Sequence, residues 1–330
     1  MKQRTKISSF IPCVLFAALS AGGCDPRGLG LSNPDFLVIA HRGAPEVAAE
    51  NTITSLQVAL VLGANAIETD ICITKDGVLV LWHDRDPDSA VALARQVGAE
   101  GLLYFPHVPP VGSPARLPVD ELTLDRFLNN YGYNDVKGRR DPTSPIALFK
   151  APPDWTGSEA DFLDWARDEP DLKAVYLDVK FASGQVDHAR TLVEVLWEDY
   201  QEDDSLQHVQ FYLLSIHRKI VDAMEAERVR LGAEPFRVVW DFEVPDVLQG
   251  TLDAGLRDVS TGLTPSYTWS GFKREIADLV DARENGKIDS VTVWTFDNEM
   301  KLAELLYYSV DGIMTNEPAL LHRMWQDTLD

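Results

Sequence analysis

From residue 36 onward the chain alternates between short apolar runs of strand length and longer stretches with helical spacing. The candidate strands are FLVIAHR (36–42), AIETDIC (66–72), AVYLDVK (174–180), VQFYLLS (209–215), RVVWDFE (237–243), DVSTGL (258–263), SVTVWTF (290–296) and DGIMTN (311–316). Between the first two, NTITSLQVALVLG (51–63) sets Ile53, Leu56 and Leu60 on one stripe and stops at Gly63, a C-terminal helix signal. Similar helical stretches lie at 189–200, 217–230, 272–286 and 298–309. Eight strands with intervening helices predict an α/β fold of the TIM (β/α)8 barrel type. A doubly wound open sheet is the alternative, and no glycine-rich phosphate loop follows the first strand to support it.

Two places break the rhythm. After the second strand, Lys75-Asp76-Gly77 is a turn, and VLVLWHD (78–84) runs back as a hairpin return. Residues 85–170 then carry many Pro, Gly and Asp residues, are too long for an ordinary βα loop, and read as an insertion or cap on one barrel face. Helix is expected inside it near ELTLDRFLNN (121–130) and SEADFLDWAR (158–167).

The N-terminus differs from the rest. MKQRTK is basic without an acid, an apolar run follows, and small residues lead to Ala21-Gly22-Gly23-Cys24. That is the layout of a secretory signal over 1–24, here of bacterial lipoprotein type with Cys24 as the acylated residue. A plain signal peptide cut near Gly23 is the other reading. Residues 25–34 form a turn-rich tether to a barrel spanning 35–330, which places the protein in the periplasm or cell envelope, on a membrane only through lipid on Cys24. Cys72 is then left alone on an apolar strand, and no disulfide is expected. The formal charge is −22, and removing Lys2, Arg4 and Lys6 with the signal leaves it at −25. Such a surface repels nucleic acid and anionic lipid, and a site for an anion on it must bring its own positive charge.

In a barrel of this kind the chemistry collects at the C-terminal ends of the strands. The first strand ends in His41-Arg42, the second carries Glu68 and Asp70, the hairpin returns to His83-Asp84, and the third ends in Asp178 and Lys180. Glu68 and Asp70 are two apart and share a face, with Ile67, Ile71 and Ile73 on the other. Two inward carboxylates stay ionised together only if a cation sits between them. Oxygen donors without cysteine suit Mg²⁺ or Ca²⁺, giving a metal site of Glu68, Asp70 and Asp178. The metal, Arg42 and Lys180 make a cradle for phosphate, and His41 and His83 are placed to act as general base and general acid. Trp294 is open between barrel core and substrate wall, and His217 has no assignable role. His107, His188, His208 and His322 read as surface or packing residues.

HRGAPEVAAENT (41–52), ETD (68–70), KDGVLVLWHD (75–84), LDVK (177–180), VTVWTFD (291–297) and VDGIMTNEP (310–318) together resemble the glycerophosphodiester phosphodiesterase family. The resemblance runs from about residue 36 to 320 and is weakest across 85–170. It implies a TIM barrel with an inserted segment, a divalent metal, and hydrolysis of a small-molecule glycerophosphodiester to glycerol 3-phosphate and an alcohol. By the same resemblance His41 and His83 match the acid/base pair, Arg42 the phosphate contact, Glu68 and Asp70 the metal ligands, and Glu50 a supporting active-site carboxylate. Asp178 and Lys180 fall where the family reads Glu-x-Lys. Asn316 stands where Asp is usual and also suits a helix N-cap. Two other readings stay open: a phospholipase D-like enzyme on lysophospholipid or sphingomyelin, and a non-catalytic lipoprotein that binds a phosphate ligand.

Overall fold

The computed structural model describes residues 33–157, 161–202, 204–241, 246–265 and 267–329. The signal expected over 1–24, and all but the last two residues of the tether, lie outside these. Eleven strands occur in the described chain: β1 (Leu37–His41), β2 (Ala66–Ile73), β3 (Leu79–Leu81), β4 (Tyr104–His107), β5 (Gly132–Asp135), β6 (Ala174–Val179), β7 (Gln210–Ser215), β8 (Arg237–Trp240), β9 (Asp258–Gly262), β10 (Ser290–Trp294) and β11 (Gly312–Thr315). Eight of them run parallel in the order β8-β7-β6-β2-β1-β11-β10-β9. A parallel bridge from Asp241 to Ser260 brings the two ends of that order together. The eight expected barrel strands are all present. The fifth is regular only over 237–240, and residues 242 and 243 of the expected run lie outside the described residues.

Period-two alternation sorts each strand into two cores. Val38, Ala40, Ile67, Ile71, Val175, Leu177, Leu213 and Ile313 point outward into the large core under the helices. Ile39, Ala66, Tyr176, Leu214, Val239 and Met314 form a separate cluster inside the barrel. Moving along the same inward rows toward the strand ends, the residues change from apolar to charged: His41 follows Ile39, Glu68 and Asp70 follow Ala66, and Asp178 follows Tyr176. Parallel register sets His41 beside Glu68 and Asp70 beside Asp178. The ionisable groups therefore gather at one mouth because the alternation that fills the barrel with hydrocarbon continues past it.

The segment 85–170 has more structure than its Pro and Gly content suggests. It contains the two expected helices, at Leu124–Asn130 and Phe162–Arg167, a further one at Ala90–Gln96, and the antiparallel pair β4–β5. Its own core holds Val119, Leu122, Phe127, Tyr131, Tyr133, Ile146 and Leu148, packed on Cys72, Val80 and Trp82 of the hairpin. Trp82 is the hub, meeting Phe127 and Tyr131 edge-on at 5.7 and 6.1 Å and tilted against Tyr133 at 5.2 Å. The hairpin turn joins in: the Asp76 carboxylate accepts from the first helical N–H, Leu124, at 2.9 Å, a cap that Thr123 does not supply. Residues 147 and 149 continue the pairing along β3, with Leu81 N donating to Ala147 O and Phe149 N to Leu79 O, both at 2.9 Å. Cys72 is buried here as a small core residue, its thiol donating to Trp82 O.

Truncating the hub tests this arrangement. Trp82→Ala is expected to cost about 3–5 kcal/mol, the range for a large buried aromatic, in urea unfolding. A loss under about 1 kcal/mol would mean that the segment does not fold onto the hairpin.

Candidate active site

The HRG turn is locked to the ENT turn by backbone. Arg42 O accepts from Asn51 N at 3.0 Å and from Ser55 Oγ at 3.2 Å, while Ala44 N donates to Ser55 Oγ at 2.8 Å. Both turns need left-handed residues, Arg42 at φ 56° and Asn51 at φ 54°, and Gly43 follows at φ 90°. A side chain at Gly43 would put its Cβ 2.5 Å from Ser55 Oγ and 2.7 Å from the Ser55 carbonyl carbon, so only glycine fits. Asn51 is the residue that unites the motifs. Its Nδ2 donates to Asp70 Oδ2 at 2.7 Å, and its Oδ1 accepts from Thr69 Oγ1 and Asp70 N at 2.8 and 3.1 Å.

His41, Arg42, Glu68, His83, Asp178 and Lys180 line one cavity of about 210 Å³, together with Leu214, Asp241, Trp294, Thr295 and Met314. Of the eight residues singled out from sequence, Asp70 and Glu50 stand behind that lining. Glu68, Asp70 and Asp178 offer carboxylate oxygens within 4.8 Å of one another. Burial and the neighbouring Asp70 and Asp178 push the Glu68 carboxyl well above its ordinary range. Burial would raise Asp70 too, but Lys180, His83 and Arg42 pull it well below. Asp70 Oδ1 is buried and faces only the Lys180 ammonium, 3.1 Å away. An all-oxygen cluster of three carboxylates, one of them forced toward its neutral form by the other two, fits a hard divalent cation. Asp178 reaches the cluster despite being a methylene shorter than Glu.

Lys180 Nζ is bonded to Asp178 and lies 3.1 Å from Asp70 Oδ1. Burial would lower its pKa, and the two carboxylates raise it instead. Arg42 places Nε 3.2 Å from Asp70 and Nη1 3.0 Å from Glu50, and its N–H donates to Glu68 Oε2 at 2.8 Å. Glu50 thus acts through Arg42; it also pairs with the buried Arg95, whose Nε reaches Asp84 at 3.1 Å. Arg95, on the insertion's first helix, was not singled out by sequence reasoning.

The histidine tautomers follow from their partners. Asn316 Nδ2 donates to the Asp297 carboxylate at 2.8 Å, so its Oδ1 is the atom facing His41 Nδ1 at 2.8 Å, and that nitrogen carries the proton. Asn316 is occupied in this way, and no cap from it to the helix Pro318–Leu329 is made. His83 Nδ1 donates to Asp84 Oδ1 at 2.6 Å. Both rings keep Nε2 bare, and His41 Nε2 lies 4.0 Å from Glu68. Burial, then Arg42, lowers His41 to about 4 and holds His83 well below its usual value. Burial pushes Asp84 up to about 6, against the pull of Arg95.

Asp241 is the other residue that sequence reasoning passed over, although Val239 and Asp241 follow the same inward alternation as Glu68 and Asp70. Its Oδ1 accepts from Ser260 Oγ at 2.6 Å and Trp294 Nε1 at 2.7 Å. Burial and the nearby Asp178 raise it to about 7. Trp294 is therefore cavity wall. Arg95 gives the clearest test of the supporting charges. Arg95→Met leaves Asp84 and Glu50 buried without their shared cation and is expected to cost about 3–5 kcal/mol in chemical unfolding, against under about 1 kcal/mol for Arg139→Met on the surface. Equal losses would remove the network from the account of stability.

Comparisons with known proteins agree with this geometry. Residues 41–207 match the model of the glycerophosphoryl diester phosphodiesterase family. A glycerophosphodiester phosphodiesterase of Caldanaerobacter subterraneus subsp. tengcongensis is 52% identical over 52 residues, 16% of this chain and 21% of that protein. One of Bacillus subtilis is 24% identical over 312 residues, 90% of this chain and 89% of that protein. Among solved structures, an Oleispira antarctica phosphodiesterase in complex with the product sn-glycerol-3-phosphate superposes with a TM-score of 0.58 at 15% identity, covering 87% of this chain and 95% of that one. That likeness confirms the barrel. With the family model covering half of its length, including both histidines and the acidic cluster, the chain belongs to the glycerophosphoryl diester phosphodiesterase family.

Proposed function

We propose that the chain hydrolyses glycerophosphodiesters to glycerol 3-phosphate and an alcohol, using His41 and His83 for proton transfer and a divalent cation, Mg²⁺ or Ca²⁺, held by Glu68, Asp70 and Asp178. The observation that carries this reading is the convergence of two histidines with bare Nε2 atoms, two cations and an acidic cluster on one cavity. When bound, the cation supplies Lewis-acid stabilisation of charge on a phosphoryl oxygen. Arg42 and Lys180 hold the anionic diester and share the charge that grows on it. Glu50 and Asn51 are positioning residues: the first orients Arg42, the second orients Asp70.

The two histidines differ in what stands behind them. Asp84 backs His83 with a carboxylate, which favours the imidazolium, whereas Asn316 backs His41 with a neutral amide. We assign His41 as the base that takes the proton from the attacking oxygen and His83 as the acid that protonates the leaving alkoxide. The negative phosphate arriving between them offsets the burial that otherwise keeps His83 neutral.

Two outcomes are expected. Release of glycerol 3-phosphate from glycerophosphocholine stops with EDTA and returns with Mg²⁺ or Ca²⁺; full activity in EDTA rules the metal out. His41→Ala loses about 10²–10⁴ in rate on glycerophosphocholine and on bis(p-nitrophenyl) phosphate alike, while His83→Ala is largely spared on the second, whose leaving group needs no proton. The reverse pattern exchanges the two roles.

A further inference from the structure

His83, Asp178 and Lys180 line two cavities at once. One is the inner cavity of about 210 Å³ over Leu214, Asp241, Trp294 and Met314. The other, about 190 Å³, opens outward between Asp86, Ser89 and Val91 of the insertion and Ile216 and His217. A phosphodiester has two arms, so a phosphorus held at the shared residues sends one into each. The two spaces differ in kind. Val91 and Ile216 on the outer rim are 59% and 63% exposed, whereas Leu214, Met314 and Asp241 on the inner wall are 1%, 5% and 6% exposed. The inner space holds an arm of fixed size, and the outer one is open to arms of varied size.

The inner wall also specifies the chemistry of its arm. Asp241 is a buried carboxylate with no basic side chain within salt-bridge distance among the described residues, and such a group needs donors on every lone pair that water does not reach. Two donors, Ser260 Oγ and Trp294 Nε1, fix Oδ1 and hold the carboxylate plane, while Oδ2 receives no hydrogen bond from the described residues. Lys180 and Arg42 line the same cavity already paired with Asp178, Asp70 and Glu50, and glycerol hydroxyls offer Oδ2 neutral donors. The apolar wall is fixed as well. Trp294 lies over Gly262, where a Cβ would stand 2.4 Å from Cε3, so the ring is seated against bare backbone.

Building on the phosphodiesterase reading above, we propose that Asp241 is a specificity-determining residue that accepts hydrogen bonds from the hydroxyls of the glycerol arm, with the carbons of that arm against Trp294, Leu214 and Met314. The outer cavity receives the alcohol that leaves. Glycerol esterified with a fatty acyl chain does not fit this assignment, because the inner space is closed by the barrel wall and one donor is lost.

Inhibition of bis(p-nitrophenyl) phosphate hydrolysis by sn-glycerol 3-phosphate, propyl phosphate, phosphocholine and inorganic phosphate tests this. In the wild type, glycerol 3-phosphate is expected to inhibit at concentrations about ten- to a hundredfold lower than propyl phosphate, which lacks both hydroxyls. Equal potency of the two overturns the proposal without any variant. Asp241→Asn keeps the shape and the Trp294 bond, and is expected to shrink that gap at least about fivefold while the propyl phosphate constant stays within about twofold. An unchanged gap, or a selective weakening of phosphocholine instead, also overturns it. If the wild type turns over no diester, the phosphodiesterase reading falls separately, and calorimetric titration of the same ligands still decides the role of Asp241.

Discussion

A charge taken out of water must be met by another, and at this barrel mouth that requirement is satisfied by a single run of alternating signs. Asp178 pairs with Lys180, Lys180 with Asp70, Asp70 with Arg42, Arg42 with Glu50, Glu50 with Arg95 and Arg95 with Asp84, and the run ends where Asp84 accepts a hydrogen bond from the His83 ring. The two ends of the run, Asp178 and His83, face each other across the same cavities. Every member between the ends is held by two neighbours, so a displacement there is opposed from both sides, which is the stiffness that positioned chemistry needs. Glu68 stands outside the run. Its partner is the Arg42 backbone N–H rather than a side chain of opposite charge, and its ionisation is the most disfavoured of the three acids. The deficit in positive charge is thus concentrated at the cluster where the proposed cation would be held.

Most of the barrel was legible in the sequence because its strands are short, apolar and evenly spaced by helices, and because inward and outward positions alternate strictly. The same alternation made Glu68, Asp70 and Asp178 readable as a group. Asp241 obeys it too, two residues after Val239, but a lone acid at a strand end carries no signal until Ser260 and Trp294 are seen around it. Arg95 was beyond reach for another reason. It sits in AVALARQ, which reads as an ordinary helix with a basic last turn, and its partner Glu50 lies 45 residues away. The insertion was hard to read because its core residues, three of them aromatic rings, are scattered among turns, and those rings meet Trp82 only once the hairpin is in place.

The motifs that suggested the family also have separate physical duties. HRG and ENT are two left-handed turns that hydrogen-bond to each other, which is why they travel together in the chain. Asp70 is kept in line by Asn51, the middle residue of ENT, rather than by its own strand alone. His41 and His83 come from different elements, yet each has its Nδ1 proton fixed by a residue that does not line the inner cavity, so scaffold contacts settle that Nε2 is the bare nitrogen of both rings.

The barrel's hydrogen-bonded hoop has one thin place. Among the described residues, β8 and β9 meet through the single bridge between Asp241 and Ser260, and the side chains of those same two residues are bonded to each other. Asp241 is therefore both a wall of the cavity and the clasp of the hoop. On the role proposed for Asp241, a ligand held by this carboxylate and the seam it fastens are linked, and by thermodynamic reciprocity each would affect the other to the same degree. The proposed binding and the closure of the barrel would then be read at two ends of one carboxylate.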